Sequence, residues 1–418
     1  MTKFFLNLSR KLVFPWSLII FFLFVISDSD TPAINQIDRL VAANHFSVSS
    51  WVFINTPVKF LSEARHSIST PSREDQNSRS YIVDYFELSA LIHSIERDLS
   101  SSIGPLSQKK HRRSLDIQHL ELLITTRSTL QGKVQTSLQQ LLSSIVYEQG
   151  LYREIGPFDL IFPPVYFQFG EIPKLLVISP RDKIVTSGTE LLSGGIPLEA
   201  IQQLEQTINE IENHSSLVVD IAGLATYPSL LPYHLPVRQT LRTIAHEWMH
   251  QFWFFTPFGR NYFTSPEMTT LNETAAELIG NILGDLAYEL LNINPKLPII
   301  THQPNPNFNF NEMMRETRTE VETMIDKGHI DEAEAYMEKR RQIFVDNGYF
   351  IRKLNQAFFA FHGTYAESPT SSSPLGNQLR VLWQSNPDVR SFVDVLSPMS
   401  NVENFQAYVR QAIEDTGK

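Results

Sequence analysis

The stretch that decides the fold is Val237-Arg-Gln-Thr-Leu-Arg-Thr-Ile-Ala-His-Glu-Trp-Met-His-Gln-Phe-Trp253. Its apolar residues recur at helical spacing directly after a proline, which predicts a helix over about 236–254. The helix carries the pattern His246-Glu247-x-x-His250. Because residues at i and i+4 lie one above the other on a helix face, both imidazoles can converge on one metal ion. Glu247 is near enough to take a proton from a water held by that ion.

A second predicted helix downstream is rich in acidic residues. A catalytic zinc site needs a third protein ligand, and Glu273 lies 23 residues after His250 (273 − 250). Glu273 and Glu277 are four residues apart, so they share one helical face. Small residues on or beside this face would let the helix approach the histidine-bearing helix closely: Ala276, Gly280 and Gly284. We therefore expect His246, His250 and Glu273 to form one metal site.

These motifs, spread over residues 220–279, resemble the gluzincin zinc metallopeptidases, the clan of thermolysin-like enzymes and related aminopeptidases. The resemblance implies a zincin-like fold and Zn²⁺ held by His246, His250 and Glu273. It implies that Glu247 is the general base in the hydrolysis of peptide bonds. It also implies that Glu277 orients the first histidine. The spacing to Glu273 is a few residues longer than in the clan, which leaves Glu277 or Glu267 as an alternative third ligand.

Gluzincins also carry a Tyr or His from a later segment that stabilises the oxyanion formed during hydrolysis. The stretch Phe361-His-Gly-Thr-Tyr365 follows a helix predicted over 349–361. Gly363 in its middle permits an unusual backbone at the edge of a cleft. The resemblance therefore makes Tyr365 and His362 catalytic candidates, and the alternative is a helix end with no catalytic part.

Two segments that flank the metal motif each allow two interpretations. Ser216–Ile221 predicts a strand whose edge could hold an extended peptide through main-chain hydrogen bonds, or an ordinary strand followed by a loop. The aromatic run from Phe252 to Phe258 could line a pocket for a bulky apolar side chain, or could pack in the core.

Composition excludes several classes of function. The 418 residues include no cysteine, which excludes a disulfide scaffold, a thiol nucleophile and a thiolate metal site. The formal net charge of −10 argues against nucleic acid as a partner, because phosphate binding needs a basic surface. Any metal must be bound by His, Asp or Glu, and the expected partner is a peptide or protein substrate.

The N-terminus predicts export or membrane attachment. Lys3, Arg10 and Lys11 precede the apolar run Leu12–Ile26, and acidic residues follow it. This charge order is typical of a signal peptide or a short membrane anchor, here residues 1–30. We therefore expect a membrane-anchored or exported enzyme whose catalytic domain lies outside the cytoplasm.

The rest of the chain predicts an α+β fold that is predominantly α-helical. A helical N-terminal region is expected over 31–155. It comprises a helix over Tyr81–Ser101, a solvated basic loop over Ser107–Ser114 and two more helices over Leu115–Tyr152. A zincin-like domain with a small sheet is expected over 156–418. A different function also fits these data: an exported, non-catalytic scaffold whose helical third binds a partner and whose metal site is structural or vestigial.

Overall fold

A computed structural model of the chain describes residues 36–55, 78–101, 109–155, 158–211, 213–295 and 304–416. Contacts divide the chain into two compact units, Met1–Ser72 and Arg73–Lys418. The described residues of the first unit form helix Gln36–Val41, a 3-10 turn Ala42–Asn44 and a helix over 48–55. All elements discussed below belong to the second unit.

The second unit is predominantly α-helical and contains small sheets, which confirms the predicted α+β class. Its helices are α1 Ser78–Ser101, α2 Lys109–Glu148, α3 Leu198–Glu210, α4 Val237–Trp253, α5 Pro257–Arg260, α6 Pro266–Leu291, α7 Phe310–Asp326, α8 Ile330–Asp346, α9 Gln356–His362, α10 Leu375–Ser385, α11 Val389–Leu396 and α12 Val402–Thr416. Its strands are β1 Arg153–Ile155, β2 Phe158–Leu160, β3 Phe167–Phe169, β4 Lys174–Pro180, β5 Gly188–Leu192, β6 His214–Asp220 and β7 Ser229–Leu231.

The expected transmembrane helix needs correction. Residues 1–30 lie outside the described ranges, and within those ranges no helix is both long enough and apolar enough to cross a membrane. Helices α1, α2 and α6 have the required length, but charged side chains recur along each of them. The prediction of a membrane-spanning segment is therefore wrong for the part of the chain that the structure describes.

The long helix α2 replaces what the sequence suggested was a loop followed by two helices. It runs for 40 residues from Lys109 and includes most of the basic stretch that was expected to be a solvated loop. Lysine and arginine are good helix formers, so a basic run need not interrupt a helix. The sequence predicts a pair of charged helices over Asn311–Lys327 and Ile330–Asn347, on either side of Gly328. Helices α7 and α8 form this pair, with a turn at Gly328, whose φ is +79°.

A three-stranded antiparallel sheet in the order β5-β4-β6 lies upstream of α4 in the chain. Side chains occupy two main-chain groups on the outer edge of strand β6. The Ser216 carbonyl accepts hydrogen bonds from Lys353 Nζ at 2.9 Å and Asn355 Nδ2 at 3.0 Å. The Val218 amide donates to the buried carboxylate of Glu205 at 2.7 Å. At these two residues the structure therefore favours the ordinary-strand interpretation.

Strand β3 pairs in parallel with β7 on one side and is covered by α2 on the other. Three glutamines spaced four residues apart on α2 bind its main chain. Gln139 and Gln131 donate to the carbonyls of Phe167 and Phe169 at 3.0 and 3.4 Å. Gln135 accepts from the Phe169 amide at 3.2 Å. Side chains of a helix thus take the place of a neighbouring strand.

Helices α4 and α6 pack closely because small residues lie between them. A Cβ atom built on Gly280 would lie 2.9 Å from the His246 amide nitrogen, and one on Gly284 would lie 2.5 Å from the Arg242 amide nitrogen. Beside this contact, Asp285 of α6 binds Arg242 of α4 through two hydrogen bonds of 2.6 Å. The close approach that the small residues predicted is therefore present, and it sets the histidines of α4 against α6.

The aromatic run after His250 divides between core and partly exposed positions. Phe252, Trp253 and Phe258 are buried in the main core, and the rings of Trp253 and Phe258 meet edge to face at 4.9 Å. Phe254 and Phe255 are half-buried. Core packing thus accounts for three of the aromatic side chains.

Candidate metal centre

Two helices bring the candidate ligands together. His246 and His250 lie one turn apart on α4, and their Nε2 atoms are 3.1 Å apart. Glu273 of α6 places Oε2 3.4 Å from His246 Nε2 and Oε1 3.5 Å from His250 Nε2. In the described part of the chain, this is the one group of three His, Asp or Glu side chains placed to hold a metal ion. Glu273, rather than Glu277 or Glu267, completes the group.

The spacing of the three donor atoms fits a tetrahedral ion. With metal–ligand bonds of about 2.0–2.1 Å, tetrahedral geometry places two ligand atoms about 3.3–3.4 Å apart. The observed separations, 3.1, 3.4 and 3.5 Å, bracket that distance. Three protein ligands would leave a fourth position open, as in catalytic zinc sites. Two imidazoles with one carboxylate suit zinc and other first-row transition ions.

Asn272 orients the second histidine. Its side chain is buried, and Oδ1 lies 3.0 Å from His250 Nδ1. Since an amide oxygen can only accept, His250 Nδ1 donates, and the lone pair of Nε2 is left to face Glu273 and His246. Asn272 adjoins Glu273 in the sequence, so one turn of α6 supplies both a candidate ligand and the group that orients another candidate ligand.

Glu277, the predicted partner of the first histidine, lies close to it without a hydrogen bond between them among the described contacts. Burial raises the pKa of Glu277, and the nearby charge of His246 lowers it. Glu277 therefore contributes negative potential on the α6 side of His246, and its predicted orienting role remains a prediction.

The triad is strongly coupled electrostatically. Burial disfavours the charged form of His246, but the hydrogen bond to Glu273 and the charges of Glu247, Glu273 and Glu277 outweigh burial and raise its pKa to about 9. Burial likewise opposes ionisation of Glu273, yet His250 and His246 hold the pKa of that carboxyl well below its usual range. The ionised carboxylate of Glu273 thus favours a proton on His246, and a metal ion bound by these three side chains would displace that proton.

Glu247, the predicted general base, is a buried carboxylate beside the triad, 7% exposed. Burial raises its pKa, while the charges of His246 and His250 lower it. The chain segment after β6 lies directly against it, because a Cβ atom on Gly223 would come within 2.9 Å of Glu247 Cδ. Glycine at position 223 thus allows main chain to approach the carboxylate, a contact that sequence reasoning missed.

Two tyrosines flank the triad. The ring of Tyr365 lies 6.3 Å from that of His246, and the ring of Tyr262 lies 5.9 Å from that of His250. The Tyr262 hydroxyl donates a hydrogen bond to Glu273 Oε1. Burial, reinforced by the charge of Glu273, raises the pKa of both hydroxyls well above the ordinary value, so both remain donors. Tyr262 was not predicted from the sequence. The only signal in the sequence was its position just after the aromatic run.

His362, the other oxyanion candidate, packs on phenylalanine side chains. Its ring lies 4.3 Å from that of Phe358 and 5.0 Å from that of Phe361. Burial lowers its pKa to about 4, so the imidazole is neutral at neutral pH. Of the two candidates, the structure places Tyr365 beside the triad and His362 against an aromatic pair.

The chain was compared with known protein families, proteins and structures. No family model, no curated protein and no solved structure matches the chain. The feature that bears on function is therefore the His246, His250 and Glu273 group with Glu247 beside it.

Proposed function

We propose that the protein is a zinc-dependent hydrolase that cleaves peptide bonds. The observation that carries the proposal is the spacing of the donor atoms of His246, His250 and Glu273, 3.1 to 3.5 Å apart, beside the buried carboxylate of Glu247. The resemblance of the motifs to gluzincins supports the same arrangement, with α4 and α6 as the two metal-binding helices of a zincin-like core.

Each residue has a stated part in the proposed reaction. A zinc ion in this site would supply a Lewis acid that acidifies water and polarises a carbonyl group. Glu247 accepts the proton of the attacking water and passes it to the leaving amine. Its burial favours this role, because a raised pKa strengthens a carboxylate as a base. Asn272 holds His250, and Tyr262 holds Glu273.

Tyr365 is the proposed donor to the oxyanion. Its hydroxyl remains protonated, and its ring lies beside His246 on the edge of the triad. A donor aimed at the charge that develops in the transition state is typically worth about 3 kcal/mol.

The decisive experiment replaces Glu247 with glutamine. The purified wild-type protein is expected to contain one zinc ion per chain and to digest a peptide library, with digestion abolished by a chelator. Glu247→Gln should keep the metal and lose at least about 100-fold in rate, since only the proton transfer is removed. Metal content is measured by elemental analysis, and digestion by mass spectrometry.

Glu267→Gln serves as the matched control, because Glu267 is an exposed glutamate in the first turn of α6. It should digest peptides at the wild-type rate. Full peptidase activity of Glu247→Gln would rule out the mechanism. Wild-type protein without stoichiometric metal or peptidase activity would favour a non-catalytic scaffold instead.

A further inference from the structure

Three arginines of the described ranges are at least nine-tenths buried, and one of them lacks an acidic partner. Arg318 pairs with Glu322 at 2.7 Å, and Arg340 pairs with Glu316 at 3.3 Å. Arg127 of α2 is 9% exposed and has no carboxylate partner within the described residues. A buried charge without a counter-charge is strongly disfavoured, so Arg127 indicates a missing anion.

Two hydroxyl groups of α1 are also buried near Arg127. Tyr85 and Ser89 lie four residues apart on one face of the helix and are 0% and 1% exposed. Arg127 Nε is buried without a hydrogen-bond partner, and the hydroxyls of Tyr85 and Ser89 have none outside their own pair. Burial raises the pKa of the Tyr85 hydroxyl, while the charge of Arg127 and the hydrogen-bonding contact with Ser89 lower it, so the three groups lie close together.

Aromatic rings form the wall behind these groups. The centre of the Arg127 guanidinium lies 4.1 Å from the centre of the Tyr233 ring. The Phe169 ring lies between Tyr233 and Tyr85, 6.4 and 5.1 Å from them. A ring face attracts a cation, but it supplies no hydrogen-bond acceptor in the plane of the guanidinium. The aromatic wall thus fixes the guanidinium and leaves its donors unused.

We propose that Arg127, Tyr85 and Ser89 form a binding site for one small oxyanion, a carboxylate or a phosphate group. The cluster offers a guanidinium and two hydroxyls that can donate, and among the described residues it includes no carboxylate. A guanidinium fork matches two oxygens of a carboxylate or phosphate. Water would satisfy the hydroxyls but would leave the charge of Arg127 uncompensated.

This site would connect ligand binding with the segment that leads into α4. Tyr233, which covers the guanidinium, lies four residues before Val237, the first residue of the histidine-bearing helix (237 − 233). The ligand would therefore bind where α1, α2 and this segment meet. The site uses none of the metal-centre residues and does not depend on the proposed hydrolase function.

The test is thermal unfolding of the full-length protein in sodium phosphate, sodium acetate or sodium chloride at equal ionic strength. Phosphate or acetate should raise the unfolding temperature with a saturating concentration dependence, and chloride should not. A response to phosphate alone identifies a phosphate site, and a response to acetate alone identifies a carboxylate site. No response beyond that to chloride overturns the proposal.

Variants assign the response to this cluster. Arg127→Gln should weaken binding of the effective anion at least 10-fold, and Ser89→Ala and Tyr85→Phe should each weaken it about 3- to 10-fold. The two milder variants keep the test valid if Arg127→Gln does not fold. Arg318→Gln, which removes a paired buried arginine, should keep the wild-type response. An unchanged response in all three cluster variants would overturn the proposal.

Discussion

Asn272 precedes the ligand Glu273 by one position, yet its amide oxygen reaches across to the other helix and accepts a hydrogen bond from His250 at 3.0 Å. The contact fixes both the tautomer and the direction of the imidazole. Outer groups of this kind typically account for a 10- to 100-fold difference in metal affinity. The affinity of the candidate centre for a metal ion is therefore expected to depend on Asn272, which would not touch the ion.

We predict that Asn272→Leu weakens zinc binding about 10- to 100-fold, because it keeps a similar volume and removes the acceptor. Competition with a chromogenic chelator measures the dissociation constant. Asn272→Asp, which retains an acceptor oxygen, should remain closer to the wild-type affinity. If Asn272→Leu binds zinc as tightly as the wild type, His250 is oriented by some other contact.

The sequence predicts the candidate ligands of the centre, but it does not predict the residues that hold these ligands in place. His246, His250 and Glu273 come together as predicted. Spacings of four residues place side chains on one face of each helix, and the small residues of α6 let the two helices approach closely. Tyr262 and Gly223 were missed. Their contacts with Glu273 and Glu247 depend on where a loop and the end of a strand lie in space. A local pattern in the sequence does not predict such positions.

Helices α4 and α6 carry the candidate metal site, and the glycines between them have no room for a side chain. We predict that Gly284→Ala destabilises the protein by about 2 kcal/mol and weakens zinc binding, because its Cβ would lie 2.5 Å from the Arg242 backbone and force the helices apart. Urea unfolding and the chelator competition measure the two effects.

Gly132 of α2 is the matched control for that substitution. A Cβ atom there meets nothing within 4 Å, so Gly132→Ala should stabilise the protein by about 0.5 to 1 kcal/mol through helix propensity. Equal stability changes at positions 284 and 132 would contradict the close packing of α4 against α6.

Helix α9 introduces acid sensitivity through His362. Burial lowers its pKa from 6.5 to about 4, so the unfolded chain binds the proton more tightly than the folded one. Stability from this residue is complete above pH 6.5 and is lost as the pH falls toward 4.

We predict that the wild type loses about 1 to 2 kcal/mol more than His362→Phe between pH 7 and pH 5. Urea unfolding at both pH values measures the difference, and the pH 7 values serve as the internal reference. Parallel pH profiles for the two proteins would show that His362 is solvated in the folded state.

Helices were predicted correctly where the local spacing of apolar residues determines them. The prediction failed where contacts with distant parts of the chain determine the length of a helix. Helix α4 and the pair α7 and α8 follow from local periodicity and punctuation by proline and glycine. The length of α2 did not, because its polar stretches are stabilised by contacts with distant residues, such as the bonds from its glutamines to β3.

At the scale of the whole unit, a bound ion would join two helices of the main core. Ligand binding to the folded state alone stabilises it by about 2.7 kcal/mol when the free ion is at 100 times its dissociation constant. We predict that a chelator lowers the unfolding temperature by about 5 °C and that added zinc restores it. Calorimetry measures both changes.

His250→Ala is the control for that measurement, since it removes a ligand and should abolish the response to the chelator. A chelator response that persists in this variant would place the stabilising ion elsewhere in the chain.

The three glutamines of α2 have a consequence for solubility. A strand with unpaired main-chain groups can pair with a strand of another molecule and start aggregation or strand exchange. An amide side chain can serve both kinds of main-chain group, whereas an ammonium or a carboxylate can serve only one. Gln135 accepts while Gln131 and Gln139 donate, so together they close β3 against intermolecular pairing without placing a charge against the core.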